Sequence, residues 1–113
     1  MSVFDRIDEV KPSPQFGNCG PDGWGFTLWG SAKCVESVHR ESLQRLAYTY
    51  RDVDLRLPDW WDGEDLIEGS LTWEGAPVSV WFETALNYTW LWSAERATMI
   101  GLREAMLPIA QSV

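Results

Sequence analysis

Residues 65–84, DLIEGSLTWEGAPVSVWFET, contain two runs of alternating apolar and polar residues on either side of a short reversal. Because successive side chains of a β-strand point to opposite faces, each run predicts a strand with one buried face. Glu74-Gly75-Ala76 predicts a tight turn between them, and Pro77 is tolerated where the second strand begins. The residues predicted to share the core face are Ile67, Gly69, Leu71 and Trp73, then Val78, Val80, Phe82 and Thr84.

Three further segments predict strands that extend this hairpin. Residues 24–29 alternate, residues 52–57 alternate strictly up to Pro58, and residues 87–92 continue extended after a bend near Asn87. The side chains predicted to face the core are Trp24, Phe26 and Leu28, then Val53, Leu55 and Leu57, then Tyr88, Trp90 and Trp92, whereas Trp29 and Trp81 fall on the opposite phase.

Two segments have helical periodicity. Residues 34–50 carry an apolar stripe that includes Leu43 and Leu46, and Glu41 precedes Arg45 by four residues, which is the favourable order for an ion pair on a helix. Residues 94–107 form a second stripe, with Ser93 as the predicted N-cap and Pro108 as the stop.

The order of these elements predicts one α+β domain spanning residues 1–113. The expected architecture is an antiparallel meander of about four to five strands with two main helices packed on one face. Residues 1–22 are rich in proline and glycine, so we expect an irregular N-terminal segment there. Within it, the spacing of Phe4, Ile7 and Val10 favours a short helical turn.

The net charge of −8, from 17 acidic and 9 basic residues, bears on the class of partner. Such a charge opposes binding to nucleic acid and to anionic membranes, and it favours association with basic proteins. The alternative interpretation is that the acidity only keeps the protein soluble. The N-terminus has acids where a signal peptide has a basic patch, and no apolar run is long enough to span a membrane, so the sequence predicts a cytoplasmic protein.

No motif of a catalytic, metal or cofactor site is present, so we expect no enzyme activity, no metal and no cofactor. Cys19 and Cys34 predict two free thiols in a reducing compartment, with a disulfide as the alternative. His39, the single histidine, lies on the apolar stripe of the first helix, which favours a structural role over a catalytic one.

The segment between Asp52 and Glu68 holds seven carboxylates and two adjacent tryptophans in 17 residues. Carboxylates stay in water while tryptophan buries most of its area, so a segment rich in both predicts a surface that a basic partner covers. Rigid aromatic anchors within a charged rim are typical of protein-binding hot spots. The predicted partner-binding residues are Asp59, Trp60, Trp61, Asp62, Glu64, Asp65 and Glu68.

In size, acidity, α+β pattern and the segment of residues 59–65, the chain resembles bacterial immunity proteins, which are encoded beside polymorphic or contact-dependent growth-inhibition toxins. The resemblance is one of overall profile. It implies that a cytoplasmic monomer or homodimer binds one cognate toxin and occludes its active site. Such toxins are often basic nucleases, which an acidic inhibitor suits.

Two other classes of function fit the same residues. One is a small enzyme or ligand-binding domain with a tryptophan-lined pocket, in which Glu68 and Glu83 act as paired carboxylates beside Trp81. The other is an adaptor or structural protein that self-associates through an aromatic surface. A deep pocket with a buried carboxylate would favour the first, and a stable homodimer that buries Trp60 and Trp61 would favour the second.

Overall fold

A computed structural model describes residues 4–14, 22–31, 36–58 and 66–112. Cys19, Cys34 and the acidic residues 59–65 lie outside these ranges, so the predictions made for them stay predictions. In chain order the elements are β1 Phe4–Ile7, β2 Lys11–Pro14, β3 Asp22–Gly30, α1 Glu36–Thr49, β4 Leu55–Arg56, β5 Leu66–Trp73, β6 Ala76–Glu83, β7 Tyr88–Ser93 and α2 Arg96–Ser112.

The strands form one antiparallel sheet of order β1-β3-β7-β6-β5-β4, and β2 also pairs with β3. Both helices pack on one face of this sheet, where Leu43 and Leu46 of α1 and Met99 of α2 meet Phe26 and Leu91 in a single core. The predicted α+β class and the placement of the helices are therefore confirmed. The sheet has seven strands among the described residues, more than the four to five that we expected.

The two extra strands, β1 and β2, lie within residues 4–14 of the N-terminal segment, and for these residues the prediction of irregular structure with a helical turn was wrong. β1 pairs with β3 through Phe4↔Gly30 and Ile7↔Leu28, and the register shifts between Phe4 and Arg6. This irregularity adds a residue to β1, so Phe4 and Ile7 share the core face although they are three apart. The spacing that indicated a helix is that of an irregular strand.

The hairpin of β5 and β6 agrees with its sequence prediction. Leu71 pairs with Val78 and both are buried, while Trp73 pairs with Ala76 across a two-residue turn. Glu74 and Gly75 in that turn have φ of 51° and 82°. Two successive positive φ values are those of a type I′ turn, whose twist matches that of the flanking strands.

Other boundaries and faces differ in detail. Of residues 52–57 only Leu55–Arg56 pair as β4, although Val53, Leu55 and Leu57 pack against the core as expected. α2 continues through Pro108 to Ser112, since Ala110 beyond the proline is buried and anchors the last turns. Glu41 and Arg45 form the predicted ion pair at 3.6 Å.

In β7 the prediction of the core face was wrong. Thr89 and Leu91 are fully buried beneath the helices, so Tyr88, Trp90 and Trp92 point to the opposite face of the sheet. The pairing of Leu91 with both Phe26 and Val80 fixes this orientation, because those neighbours belong to the core.

Candidate functional site

The face of the sheet opposite the helices carries a block of aromatic side chains, which we call the aromatic face. It consists of Trp29, Trp81, Tyr88, Trp90 and Trp92. Cross-strand pairing sets them in adjacent rows, because Trp81 lies opposite Trp90, and Trp29 lies opposite Tyr88. The rings of Trp29 and Tyr88 are in contact, with centroids 5.1 Å apart.

Two glycines of β3 allow the indoles of β7 to lie against the backbone. A Cβ on Gly25 would stand 2.7 Å from Nε1 of Trp90, and one on Gly23 would collide with the ring of Trp92. Trp92 is almost completely buried and its indole N–H donates to the Ser13 carbonyl at 2.9 Å, so its role is structural. Trp29, Trp81, Tyr88 and Trp90 keep part of their surface exposed and are the candidates for contact with a ligand.

One end of the aromatic face is occupied by a cation from the chain itself. The guanidinium of Arg6 lies over the Trp29 ring, 5.1 Å from its centroid. Asp8 holds both groups, because its carboxylate accepts the Trp29 indole N–H at 2.9 Å and pairs with Arg6 Nε at 2.8 Å. This end of the face is thus an acid, an indole and an arginine in mutual contact.

The other end has two glutamates around one indole, a group that we call the acidic corner: Glu68, Trp81 and Glu83. Glu68 is exposed on β5 directly opposite Trp81, and Glu83 is two residues along β6 on the same face. The Tyr88 hydroxyl donates a hydrogen bond to the Glu83 carboxylate and accepts one from the Trp81 indole N–H. Burial, followed by the hydrogen bond to Glu83 and its charge, raises the pKa of Tyr88 to about 12.

Of the predicted partner-binding residues, the structure describes Glu68 alone and places it beside the aromatic face. The remaining six lie outside the described ranges: Asp59, Trp60, Trp61, Asp62, Glu64 and Asp65. Sequence reasoning did not assign Trp29, Tyr88 and Trp90 to a site. The available signal was that aromatic residues occupy the second phase of several neighbouring strands.

His39 belongs to the core. Its ring lies between those of Phe4 and Phe82, and its two nitrogens bond Asn87 Oδ1 at 2.9 Å and Thr89 Oγ1 at 2.7 Å. Asn87 uses its amide N–H for the Ser31 carbonyl, so its oxygen accepts from His39 Nε2–H and Nδ1 accepts from Thr89. Burial lowers the pKa of His39 to about 4, which keeps it neutral at pH 7.

The space beside His39 does not suit a substrate. A cavity of about 20 Å³ lies there, lined by residues that include Leu43, Ile67 and Phe82. That volume is enough for about one water molecule. Among the described residues no three His, Cys, Asp or Glu side chains are grouped to hold a metal ion, and no helix is long and apolar enough to cross a membrane.

No protein-family model, curated protein or solved structure matches this chain. Since one fold class carries many functions, the features of this chain that bear on its function are the composition and geometry of the aromatic face and its acidic corner.

Proposed function

We propose that this chain is a bacterial immunity protein, which acts in the cytoplasm by binding a cognate basic toxin and blocking it rather than by catalysing a reaction. One observation carries the proposal: Glu68 lies directly opposite Trp81, at the border of a sheet face with four partly exposed aromatic rings. The carboxylate and the indoles together form the kind of surface that a basic protein can cover.

The composition of this surface supports protein binding. Tryptophan and tyrosine are the residues most enriched among binding hot spots, because they bury a large rigid area at little cost in side-chain entropy. The strands that carry Trp29, Trp81, Tyr88 and Trp90 are hydrogen-bonded to one another, so the rings are held in place before a partner arrives. Such preorganisation lowers the cost of association.

The charge of the whole chain supports a basic partner. A net charge of −8 would attract a positively charged protein and accelerate its association at low salt. The acidic residues 59–65 precede β5, whose third residue is Glu68, so the sequence continues from the acidic segment onto the border of the aromatic face.

The proposal is tested with the protein encoded immediately upstream of this chain, the expected position of a cognate toxin. We expect that protein to inhibit bacterial growth when expressed alone and not when co-expressed with this chain. We also expect the purified pair to form a complex whose association slows as salt is added. Growth inhibition that co-expression leaves unchanged would contradict the proposal, as would a chain that forms only a homodimer through the aromatic face.

A further inference from the structure

The contact between Arg6 and Trp29 shows that this face of the sheet can hold an arginine side chain over a tryptophan ring. A guanidinium lies 5.1 Å from an indole centroid while a carboxylate, that of Asp8, pairs with the same guanidinium. A cation over an aromatic ring is attracted by the negative face of the ring, and a neighbouring carboxylate adds a charge-assisted hydrogen bond. Arg96 over Trp24 at 5.4 Å is a second contact of this type in the same chain.

The acidic corner also combines an indole with carboxylates, but it has no arginine from the described part of the chain. Glu68 lies directly opposite Trp81 on β5, and Glu83 follows Trp81 by two residues on the same face of β6, so both carboxylates border this indole. Within the described ranges, neither Glu68 nor Glu83 forms an ion pair with a lysine or arginine. The ion pairs of the described arginines are with other acids: Arg6 with Asp8, Arg103 with Glu9, Arg45 with Glu41 and Arg56 with Asp54. The corner is therefore complementary in charge to a cation supplied from outside.

The shape of the side chain favours arginine over lysine as the cation that the acidic corner would bind. The guanidinium is planar, so it can stack on an indole while its edge donates two parallel hydrogen bonds to a carboxylate. It is also more weakly hydrated than an ammonium group, which reduces the cost of covering it at an interface. Two carboxylates beside one ring allow the stacked guanidinium to pair with either.

We infer that the basic partner docks on the aromatic face and places an arginine side chain over Trp81, between Glu68 and Glu83. This inference rests on the proposed function and adds to it the docking surface and the residue type that the partner presents. The partner is a protein with an exposed arginine, and the remaining rings of the face, Trp90 and Tyr88, contact the surface around that arginine.

The first experiment uses the full chain and a hexa-arginine peptide as the probe, with a hexa-lysine peptide of equal charge for comparison. Binding is followed at low ionic strength by the indole N–H signals of the tryptophans. We expect the Trp81 signal to move and the signal of the core residue Trp73 to stay in place. We also expect the arginine peptide to bind at least about threefold more tightly than the lysine peptide.

Matched variants separate the corner from the overall charge. Two double variants each remove two negative charges. The corner variant combines Glu68→Gln with Glu83→Gln, and the control variant combines Glu41→Gln with Glu104→Gln on the helices, on the other side of the sheet. We expect the first double variant to weaken binding of the arginine peptide at least about fivefold and the second by less than about twofold. The amide in Glu83→Gln can still accept the Tyr88 hydrogen bond, and Glu68→Gln alone checks the result at an exposed position.

The outcomes distinguish this inference from the proposed function. If both double variants lost the same affinity for the arginine peptide, binding would follow net charge alone and the arginine site would be overturned. This would hold even if the upstream-encoded protein were still bound. A loss confined to the corner variant would support the site even if that protein failed to bind, in which case only the proposed function would fall. The same two double variants, measured against the upstream-encoded protein, should show the same ranking.

Discussion

Adjacent residues of β7 lie on opposite faces of the sheet, one in the core and the next in the candidate site. Thr89 is fully buried and bonds His39 Nδ1 at 2.7 Å, whereas Trp90 on the opposite face lies against Gly25. His39 is thus fixed as a neutral group between two hydrogen-bond partners, and Trp90 is held against β3 with part of its ring exposed. Both arrangements depend on single neighbouring residues, so single substitutions test them.

The buried His39 makes stability depend on pH. Its pKa is about 4 in the folded protein against 6.5 as the ordinary value. Below pH 6.5 the unfolded chain takes up a proton that the folded chain does not, so the free energy of unfolding falls as the pH falls from 6.5 towards 4, by up to about 1.4 kcal/mol per pH unit. Above pH 6.5 both states are neutral and His39 contributes no pH dependence.

Denaturant unfolding of the wild type and of His39→Gln at several pH values between 4 and 7 measures this contribution as a difference. The carboxylates titrate in both proteins and largely cancel in the comparison. We expect the variant to have a shallower loss of stability than the wild type below pH 6.5. Parallel curves over the whole range would show that His39 is not held neutral by burial.

Gly25 is predicted to be intolerant of a side chain. A Cβ there would lie 2.7 Å from Trp90 Nε1 and 3.0 Å from the Leu91 carbonyl oxygen, and the second of these atoms is backbone. We expect Gly25→Ala to lower the free energy of unfolding by about 1–3 kcal/mol and to shift the indole N–H signal of Trp90. An unchanged Trp90 signal with full stability would contradict the close packing of that ring on β3.

Among the elements, the turn between β6 and β7 links three parts of the chain. Asn87 has φ of 57°, and its side chain accepts from His39 of α1 and donates to the Ser31 carbonyl beyond β3. The left-handed conformation favours asparagine or glycine, and the two hydrogen bonds require the amide. A pair of substitutions can separate these two contributions.

Asn87→Gly retains the backbone conformation and removes both hydrogen bonds, so we expect it to cost about 1–3 kcal/mol of stability through the unpaired His39 N–H. Asn87→Ala should cost about 1–2 kcal/mol more, because alanine is strained at positive φ. Thermal or denaturant unfolding of the two variants gives the comparison. Equal stability of the two would show that the backbone conformation of this turn contributes nothing.

The buried face of a strand could be predicted from sequence where apolar residues are concentrated at alternate positions. It could not be predicted where large apolar residues occupy both sets of alternate positions. In β5 and β6 one phase is mainly apolar and the other mainly polar, and their turn carries glycine, so the predicted hairpin and its core face were correct. β7 reads Tyr-Thr-Trp-Leu-Trp-Ser, with large apolar residues on both phases, and only the pairing of Leu91 with Phe26 and Val80 decides which phase is buried. The aromatic face was missed for this reason.

The N-terminal strands and the end of α2 were misjudged for a different reason, since local signals were overridden by tertiary contacts. Pro12 and Pro14 indicated irregular structure, yet β2 pairs with β3 through residues 11–14, and a proline is tolerated in a strand that pairs on one side. Pro108 indicated a helix stop, yet the turns beyond it continue because Ala110 is buried. Of the predicted binding residues, Glu68 alone could be located.

In the molecule as a whole, the two faces of the sheet have different roles. The helices cover one face and enclose the core, and the other face presents partly exposed aromatic rings between Arg6 at one end and Glu68 at the other. With a net charge of −8, long-range attraction should govern how fast a basic partner arrives, and the aromatic face should govern how long it stays.

This division predicts different kinetic effects for two kinds of variant. Trp81→Phe should raise the dissociation rate of the partner about tenfold with little change in the association rate, because it reduces ring area and cation attraction at the docking site. Trp24→Phe, on the helix-covered side of the sheet, is the matched control and should change neither rate appreciably. Surface plasmon resonance resolves both rates, and equal effects of the two substitutions would refute the assignment of the face.

The most direct measurement is the affinity of the full chain for the purified protein encoded immediately upstream, at about 50 mM and about 500 mM salt. At low salt we predict a stable one-to-one complex, and at high salt an association rate at least about tenfold lower, as electrostatic steering requires. Absence of a complex at low salt, or a complex whose association rate does not change with salt, would contradict the account of this chain as an acidic inhibitor of a basic protein.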